Sequence, residues 1–540
     1  MGSVAAQVRP DAGRIQEQLR IPEPPRPAQP PQIRIEPPLP EGKGDTPPFY
    51  VDRFRVSGAT AISSATLLGL LGEPKRRLTL AEVQAIADRI TKHYQDHGYI
   101  VARALIPAQE VRDGVVDVVV LEGRYGRIDI HNSSDITESR LRGLLGGVRE
   151  YALVHGPSLE RAVLLISDLA GVQPKATLEP GESTGLTNLV LEVAPTRNYE
   201  FDATLDNLGS SFTGRYRLTA GLAWNSPFGI GDRFAARALV SDKDLFALRL
   251  AYEAPLGASG LRGTVHASHT AYELGDAFAS LEQKGTASAA GAFALYPLIR
   301  SSQRNLRLQL GAERRELEDR IGAFDLVNKK TMGVVQWGAG GDLRDDTLAG
   351  AVTGFQILAT HGELDLRTRT LEESDAATAR TEGRYSKLAL SASRLQALTS
   401  RLRASIIYTG QLAFDNLDSS EKLSVGGLAG VRAYPLGEAP GDDAHVLQAE
   451  LRYHTLAVFG GHLVPMVFAD WAQSRINHEV WPGFTGSNKR RLSGYGLGAE
   501  TAFAGSTFVR GWYARKRGNE PATADVDRKD RLWLQAGALF

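Results

Sequence analysis

The chain has 540 residues, 42% of them hydrophobic, with 62 Lys and Arg against 62 Asp and Glu and no cysteine. The balanced charge gives no bulk attraction to a phosphate backbone, which excludes a general nucleic-acid binder. The lack of cysteine excludes disulfides, Cys-ligated zinc, iron–sulfur clusters and a thiol nucleophile. No run of about 18 apolar residues is present, so no helix can cross a bilayer, but a membrane barrel hides its apolar residues at alternate positions and stays open.

Residues 1–9 lack the apolar stretch of a secretory signal, so an export signal is expected to be absent from this sequence. Pro10 to Arg20 read as a short helix, with Pro10 suited to the first turn and Asp11 at the positive end of the dipole. Ile15 and Leu19 lie one turn apart on it. That stripe is thin, and physics alone favours a frayed tail over residues 1–21. Prolines dominate residues 22–48, so this segment reads as an extended polyproline II spacer that cannot hold a helix or a sheet ladder.

Residues 49–123 carry the order β-α-α-β-β: a strand at Phe49–Ser57, a helix at Ser63–Leu71, a helix capped by Thr79, and strands at Ile100–Ile106 and Gly114–Leu121. Residues 124–196 repeat it, with strands at Arg127–His131, Gln173–Leu178 and Leu186–Val193. Their two helices span Ile136–Leu145 and a segment capped by Ser158. Two units of one element order are an internal repeat. Each is expected to carry a three-stranded sheet with free edges, able to recruit an extended peptide by strand addition. The pair resembles tandem POTRA domains, the periplasmic modules of outer-membrane assembly and secretion pores.

Over residues 197–540 no further helix is expected. Alternating segments of about ten residues, separated by Gly, Asp, Asn and Ser clusters, read as sixteen antiparallel strands of a transmembrane β-barrel, from Tyr199–Asn207 to Arg531–Phe540. The region supplies about 21 residues per strand with its connection, and a spanning strand takes about 9–11. In the last strand Leu532, Leu534, Ala536, Ala538 and Phe540 share one face, assigned to lipid. A soluble sandwich or propeller would show shorter strands or a constant repeat motif.

Two motifs decide between barrel classes. Val431-Arg432-Ala433-Tyr434 stands inside a long Gly-rich connection, and Phe468-Ala469-Asp470-Trp471-Ala472 lies on the thirteenth strand. Phe468, Asp470 and Ala472 share one face, and an Asp on a membrane strand must face the lumen. The motifs resemble the VRGY and FxDxG motifs of two-partner secretion transporters, with Ala433 and Ala472 each standing where the family has Gly. The resemblance extends to the layout: plug helix, Pro-rich linker, two POTRA units and sixteen strands. It implies a hairpin folded into the lumen, an Arg432–Asp470 ion pair, and a helix carrying Ile15 and Leu19 that plugs the pore. It also implies a pore that passes one large unfolded partner protein, bearing an N-terminal secretion domain, from periplasm to cell surface without ATP. Aromatic Phe540 resembles the terminal residue read by the barrel-insertion machinery. Outer-membrane lipid is the other partner, and a monomer is expected. An insertase of the same superfamily, or a porin or receptor, are the alternative classes.

Other constellations are set aside. His93 and His97 are spaced i, i+4, but the HExxH glutamate and a third ligand are absent, so a solvated helix face is expected and no metal. Gly494, Gly496 and Gly498 lie in a strand and form no dinucleotide loop. Lys489-Arg490-Arg491 reads as an exposed loop. No cofactor and no enzymatic activity are implied.

Overall fold

The computed structural model describes residues 10–19, 32–35, 47–454, 457–458, 461–503 and 506–540. The expected linker residues 22–31 and 36–46 lie outside the described residues. Helix α1 (Ala12–Leu19) is two residues shorter at its start than the sequence suggests. The residues 32–35 correct the reading of the linker as a spacer without ladders: Gln32–Ile35 form strand β1.

The first POTRA unit contains β2 (Phe49–Val51), β3 (Arg53–Ser57), α2 (Ser64–Leu71), β4 (Arg76–Leu78), α3 (Leu80–Asp96), β5 (Arg103–Leu105) and β6 (Val115–Leu121). Its main sheet has the order β3-β6-β5, and β2 pairs separately with β4, a strand between the helices that the repeat reading lacks. Helix α3 begins at a capping box: the Thr79 side chain accepts from the Glu82 amide while Glu82 accepts from the Thr79 amide. Val83, Ile86, Ala87, Ile90 and Tyr94 then fall on one buried stripe. Strand β6 buries every second residue against them, because side chains alternate across a sheet. His97 hydrogen-bonds through Nδ1 to the His93 carbonyl at 2.7 Å.

The second unit contains β7 (Arg124–Asn132), α4 (Glu138–Leu145), α5 (Gly156–Ser167), β8 (Val172–Pro180) and β9 (Leu186–Pro195). Helix α5 starts two residues before Ser158, with Pro157 in its first turn, so Ser158 is not its cap. The sheet order is β1-β8-β9-β7. This sheet is therefore four-stranded, and its β8 edge is covered by the chain's own β1 in parallel register.

Sixteen antiparallel strands form a closed barrel, with a two-residue strand, Ala457–Val458, added on the hairpin between the twelfth and thirteenth. The first strand (Tyr199–Asp206) closes the wall against the sixteenth (Asp530–Leu539). Closure leaves no edge and pairs the backbone groups that lipid cannot satisfy. Leu532, Leu534 and Phe540 project outward, whereas Trp533 between them is buried inside. The sixth to eighth strands (Gln283–Arg300, Arg304–Ile321, Leu326–Asp345) run well past the sequence-derived bounds. One short helix, α6 (Arg369–Ala376), lies between the ninth and tenth strands and corrects the expectation of none.

The second POTRA unit docks on the near rim of the barrel. Arg300 donates to both Asp168 carboxylate oxygens, at 2.9 and 2.7 Å, and Arg161 donates to the Pro297 carbonyl at 2.9 Å. The Ser302 amide donates to Glu160 at 3.0 Å. Connections after odd-numbered strands therefore lie at the opposite rim.

Candidate translocation site: the lumenal hairpin and the plug

The connection between the eleventh strand (Leu402–Ala413) and the twelfth (Asp443–Tyr453) leaves from that opposite rim and turns back inside. Its tip is made by local backbone bonds: the Val431 amide donates to the Val425 carbonyl at 2.8 Å and the Gly430 amide to the Gly427 carbonyl at 3.1 Å. Gly427 takes φ +86°, a conformation that suits a residue without Cβ. Val431, Ala433 and Tyr434 are wholly buried and Arg432 is 5% exposed.

Arg432 meets the barrel wall on every side of its guanidinium. Its backbone amide and Nε both donate to Asp470 Oδ2 at 3.0 Å, and Nη2 donates to Oδ1 at 2.8 Å. This is the planar bidentate match that Arg alone offers a carboxylate. Nη1 donates to Glu450 at 2.7 Å, and the guanidinium carbon stacks 3.6 Å from the centre of the Phe468 ring. The Arg432 carbonyl accepts the indole N–H of Trp533 at 2.7 Å. Phe468, Asp470 and Ala472 all face inward, while Val467 and Trp471 on the alternate face point out.

The alanines that stand for family glycines fit without strain. Ala433 is not among the residues with positive φ. Its methyl packs over Gly494 on the fourteenth strand (Lys489–Phe503), where an added Cβ would lie 2.6 Å away. At Gly496 an added Cβ would lie 2.5 Å from the Phe468 ring. These strand glycines hollow the wall to receive the hairpin tip. Arg490, read from the sequence as part of an exposed loop, is instead largely buried in this strand and pairs with hairpin Glu438 at 3.0 Å.

Further contacts that motif reading missed hold the rest of the hairpin. Glu421 pairs with Arg315 on the seventh strand and with Lys387 on the tenth (Gly383–Ala397), the latter at 2.7 Å. Asp418 pairs with Lys330 at 2.7 Å. Glu438 also accepts the amides of Thr523 and Ala524 at 2.8 and 2.9 Å. Their sequence signal was only a charge at an inward position; the partner across the barrel is set by the closed topology.

Helix α1 lies inside the barrel beside this hairpin. Ala12 and Ile15 are buried and Leu19 partly so, in a cluster with Phe212, Leu245, Tyr272 and Leu317. The frayed-tail reading is corrected here: an eight-residue helix with a thin stripe needs a host, and the lumen supplies it. The Ala12 amide, one of the unpaired N–H groups of a helix start, donates to wall residue Asp319 at 3.0 Å. Gln283 donates to the Pro10 carbonyl at 3.0 Å. On the hairpin side, Ser419 donates to Asp11 at 2.9 Å and Ser424 to Glu17 at 2.8 Å. Plug and hairpin are thus one hydrogen-bonded body within the barrel.

The closed barrel, two POTRA units, inward hairpin and helix held in the lumen together form the layout of an outer-membrane transporter of the two-partner secretion class. Residues 185–501 match the family model of haemolysin secretion/activation protein ShlB/FhaC/HecB, and residues 49–123 match the ShlB-type POTRA domain. The chain belongs to the ShlB/FhaC/HecB family. It is 28% identical over 474 residues to the heme/hemopexin transporter protein HuxB of Haemophilus influenzae, covering 86% of this chain and 82% of that protein. Outer membrane transporter CdiB of Escherichia coli is 29% identical over 203 residues, 37% of this chain and 34% of CdiB. The solved structure of CdiB from Escherichia coli superposes with a TM-score of 0.73 at 19% identity, covering 98% of this chain and 95% of that one, a likeness of fold.

Proposed function

We propose that this outer-membrane pore secretes a single large cognate protein and that the Arg432–Asp470 pair sets the resting position of the hairpin. The observation that carries the reading is the filled lumen: α1 and the hairpin occupy the path, and beside their apolar contacts both are held by hydrogen bonds and ion pairs that water can replace. The unfolded partner reaches the POTRA units from the periplasm through an N-terminal secretion domain. Helix α1 leaves on its tether, the hairpin shifts, and the chain passes outward. Folding of the partner outside removes translocated chain from the backward equilibrium, so no ATP is consumed. The transporter performs no bond chemistry and works as a monomer. Phe540, exposed on the outer wall, is the residue read by the insertion machinery. The long match to HuxB favours a haem- or hemopexin-acquiring protein over a haemolysin or contact-dependent toxin as the partner.

The test is single-channel conductance and secretion of the cognate protein with Arg432→Ala and Asp470→Ala. Altered gating and reduced secretion are expected in both. Wild-type behaviour in both would sink the role assigned to the pair.

A further inference from the structure

The basic triplet Lys489-Arg490-Arg491 opens the fourteenth strand, where side chains alternate across the wall. Arg490 turns inward to Glu438, and Lys489 and Arg491 stay exposed on the outer face. Among the described residues neither has a carboxylate partner, and Arg491 donates to the Gln473 side-chain oxygen at 3.2 Å. They stand opposite Arg475 and Gln473 on the thirteenth strand (Gly461–Arg475), at the rim away from the POTRA units.

A cleft of about 450 Å³ opens there in the outer wall. Lys489, Arg475, His445 and His478 line its polar side, and Leu412 and Phe414, 46% and 62% exposed, line its apolar side. Asp443 is the one carboxylate in the lining, and it is already engaged: it accepts Arg475 Nε at 2.6 Å and the Ala413 amide at 2.9 Å. Arg475 Nη2 meets His478 Nδ1 at 2.9 Å. A guanidinium only donates, so His478 Nδ1 accepts and the hydrogen of the neutral ring sits on Nε2. His445 spends Nδ1 on the Tyr408 hydroxyl at 2.8 Å. The groups left over include three donors: Arg475 Nη1, the Lys489 ammonium and His478 Nε2. Spare donors of this kind suit a ligand with several anionic oxygens.

The depth of the cleft narrows the ligand further. One pleat toward the POTRA side, the outer face carries Leu447 and Trp471 where it carried His445 and Gln473, and Tyr495 and Val467 follow. Apolar outer surface bordered by Trp and Tyr marks the edge of the lipid belt. The cleft therefore lies at the level of the outer-leaflet headgroups.

We propose that this cleft binds a phosphate-bearing glycolipid headgroup of the outer leaflet. The phosphate sits among Lys489, Arg491, Arg475 and His478, and the acyl chains run along Leu447 and Trp471. The cleft adjoins the root of the lumenal hairpin, since Ala413 and Asp443 are where that connection leaves and rejoins the wall. The bound lipid thus braces the wall from which the hairpin springs.

The test uses the full chain in detergent with bisphosphorylated lipid A as the probe, and bound lipid is counted by native mass spectrometry. Lys489→Gln with Arg491→Gln changes two exposed side chains and is expected to weaken binding about tenfold. Arg384→Gln, which removes an exposed cation of the tenth strand outside the cleft, is expected to leave binding unchanged. Lipid A stripped of its phosphates is expected to bind about tenfold more weakly, and inorganic phosphate is expected not to displace the intact lipid. Unchanged binding in the double variant, or an equal loss in Arg384→Gln, would overturn the cleft as the site. Equal binding of the stripped lipid would overturn phosphate recognition. Displacement by inorganic phosphate would overturn the lipid as the ligand in favour of a free anion. None of these readouts measures secretion, so their failure would leave the transporter reading standing.

Discussion

The POTRA units and the barrel lumen are held together by opposite means. Each POTRA unit is closed around a continuous apolar cluster, from Val51 to Val120 in the first and from Tyr125 to Val193 in the second. Among the described residues the lumen adds to an apolar cluster at the hairpin tip a set of buried ion pairs, through Arg432, Glu421, Asp418 and Glu438, that the POTRA cores do not have. An apolar core can only be exchanged for water at the full cost of exposing its surface. An ion pair in a channel that wets can trade its partner for water or for a passing chain. The difference separates parts that must stay rigid from parts that must let go.

Substitutions in the two regions are expected to differ in readout more than in size. Arg432→Ala leaves Asp470 without its cation, while Glu450 keeps Arg452, at about 3–5 kcal/mol for a dry site. The loss is expected to appear as channel opening, with the POTRA units intact. Leu141→Ala removes a wholly buried side chain from the second unit and is expected to cost about 2–5 kcal/mol. It should lower the melting of that unit and leave conductance at the wild-type level. If Leu141→Ala opened the channel as Arg432→Ala does, the division between regions would fail.

Smaller changes sharpen the contrast. Gly494→Val drives a side chain into Ala433 and Val431. Overpacking of this kind costs about 1–3 kcal/mol, and it is expected to displace the hairpin tip, raising conductance while strand closure persists. Asp319→Ala takes the acceptor from the Ala12 amide, at about 0.5–2 kcal/mol for a lost helix cap. More frequent opening by loss of the plug is expected, with the hairpin in place.

The smallest effect concerns a charge in the rigid region. Glu122 is buried, which works to raise its pKa, but the amides of Ala61 and Thr60 and the hydroxyls of Thr60 and Tyr94 hold it below the usual carboxylate range. A carboxylate depressed on folding adds stability above its unfolded pKa, and this is lost as pH falls through the folded value. Glu122→Gln is expected to cost about 1 kcal/mol at neutral pH and to flatten the acid side of the melting profile of the first unit. An unchanged pH profile would remove Glu122 from the account.

Much of this was legible in the sequence, for physical reasons that can be named. The strands show because lipid forces period-two alternation, as in Leu532 to Phe540. Phe468, Asp470 and Ala472 show because one face of one strand must be lumenal. Three things were hidden. Glu450, Glu421 and Asp319 find their partners only once the barrel is closed, since Glu421 meets an arginine 106 residues away. Strand β1 was hidden by its prolines: a four-residue strand flanked by two Pro pairs carries too little pattern to outweigh the segment's composition. Local physics reads helix α1 as a frayed tail, whereas the resemblance reads it as a plug, because its stability comes from the lumen that hosts it, which no local propensity reports.

The most direct test of the central claim is a double-mutant cycle on Arg432 and Asp470, read by single-channel open probability. If the pair is one latch, Arg432→Ala, Asp470→Ala and the double variant are expected to open the channel to nearly the same extent, because removing either partner already releases the hairpin. Additive effects, or a double variant with wild-type gating, would contradict it.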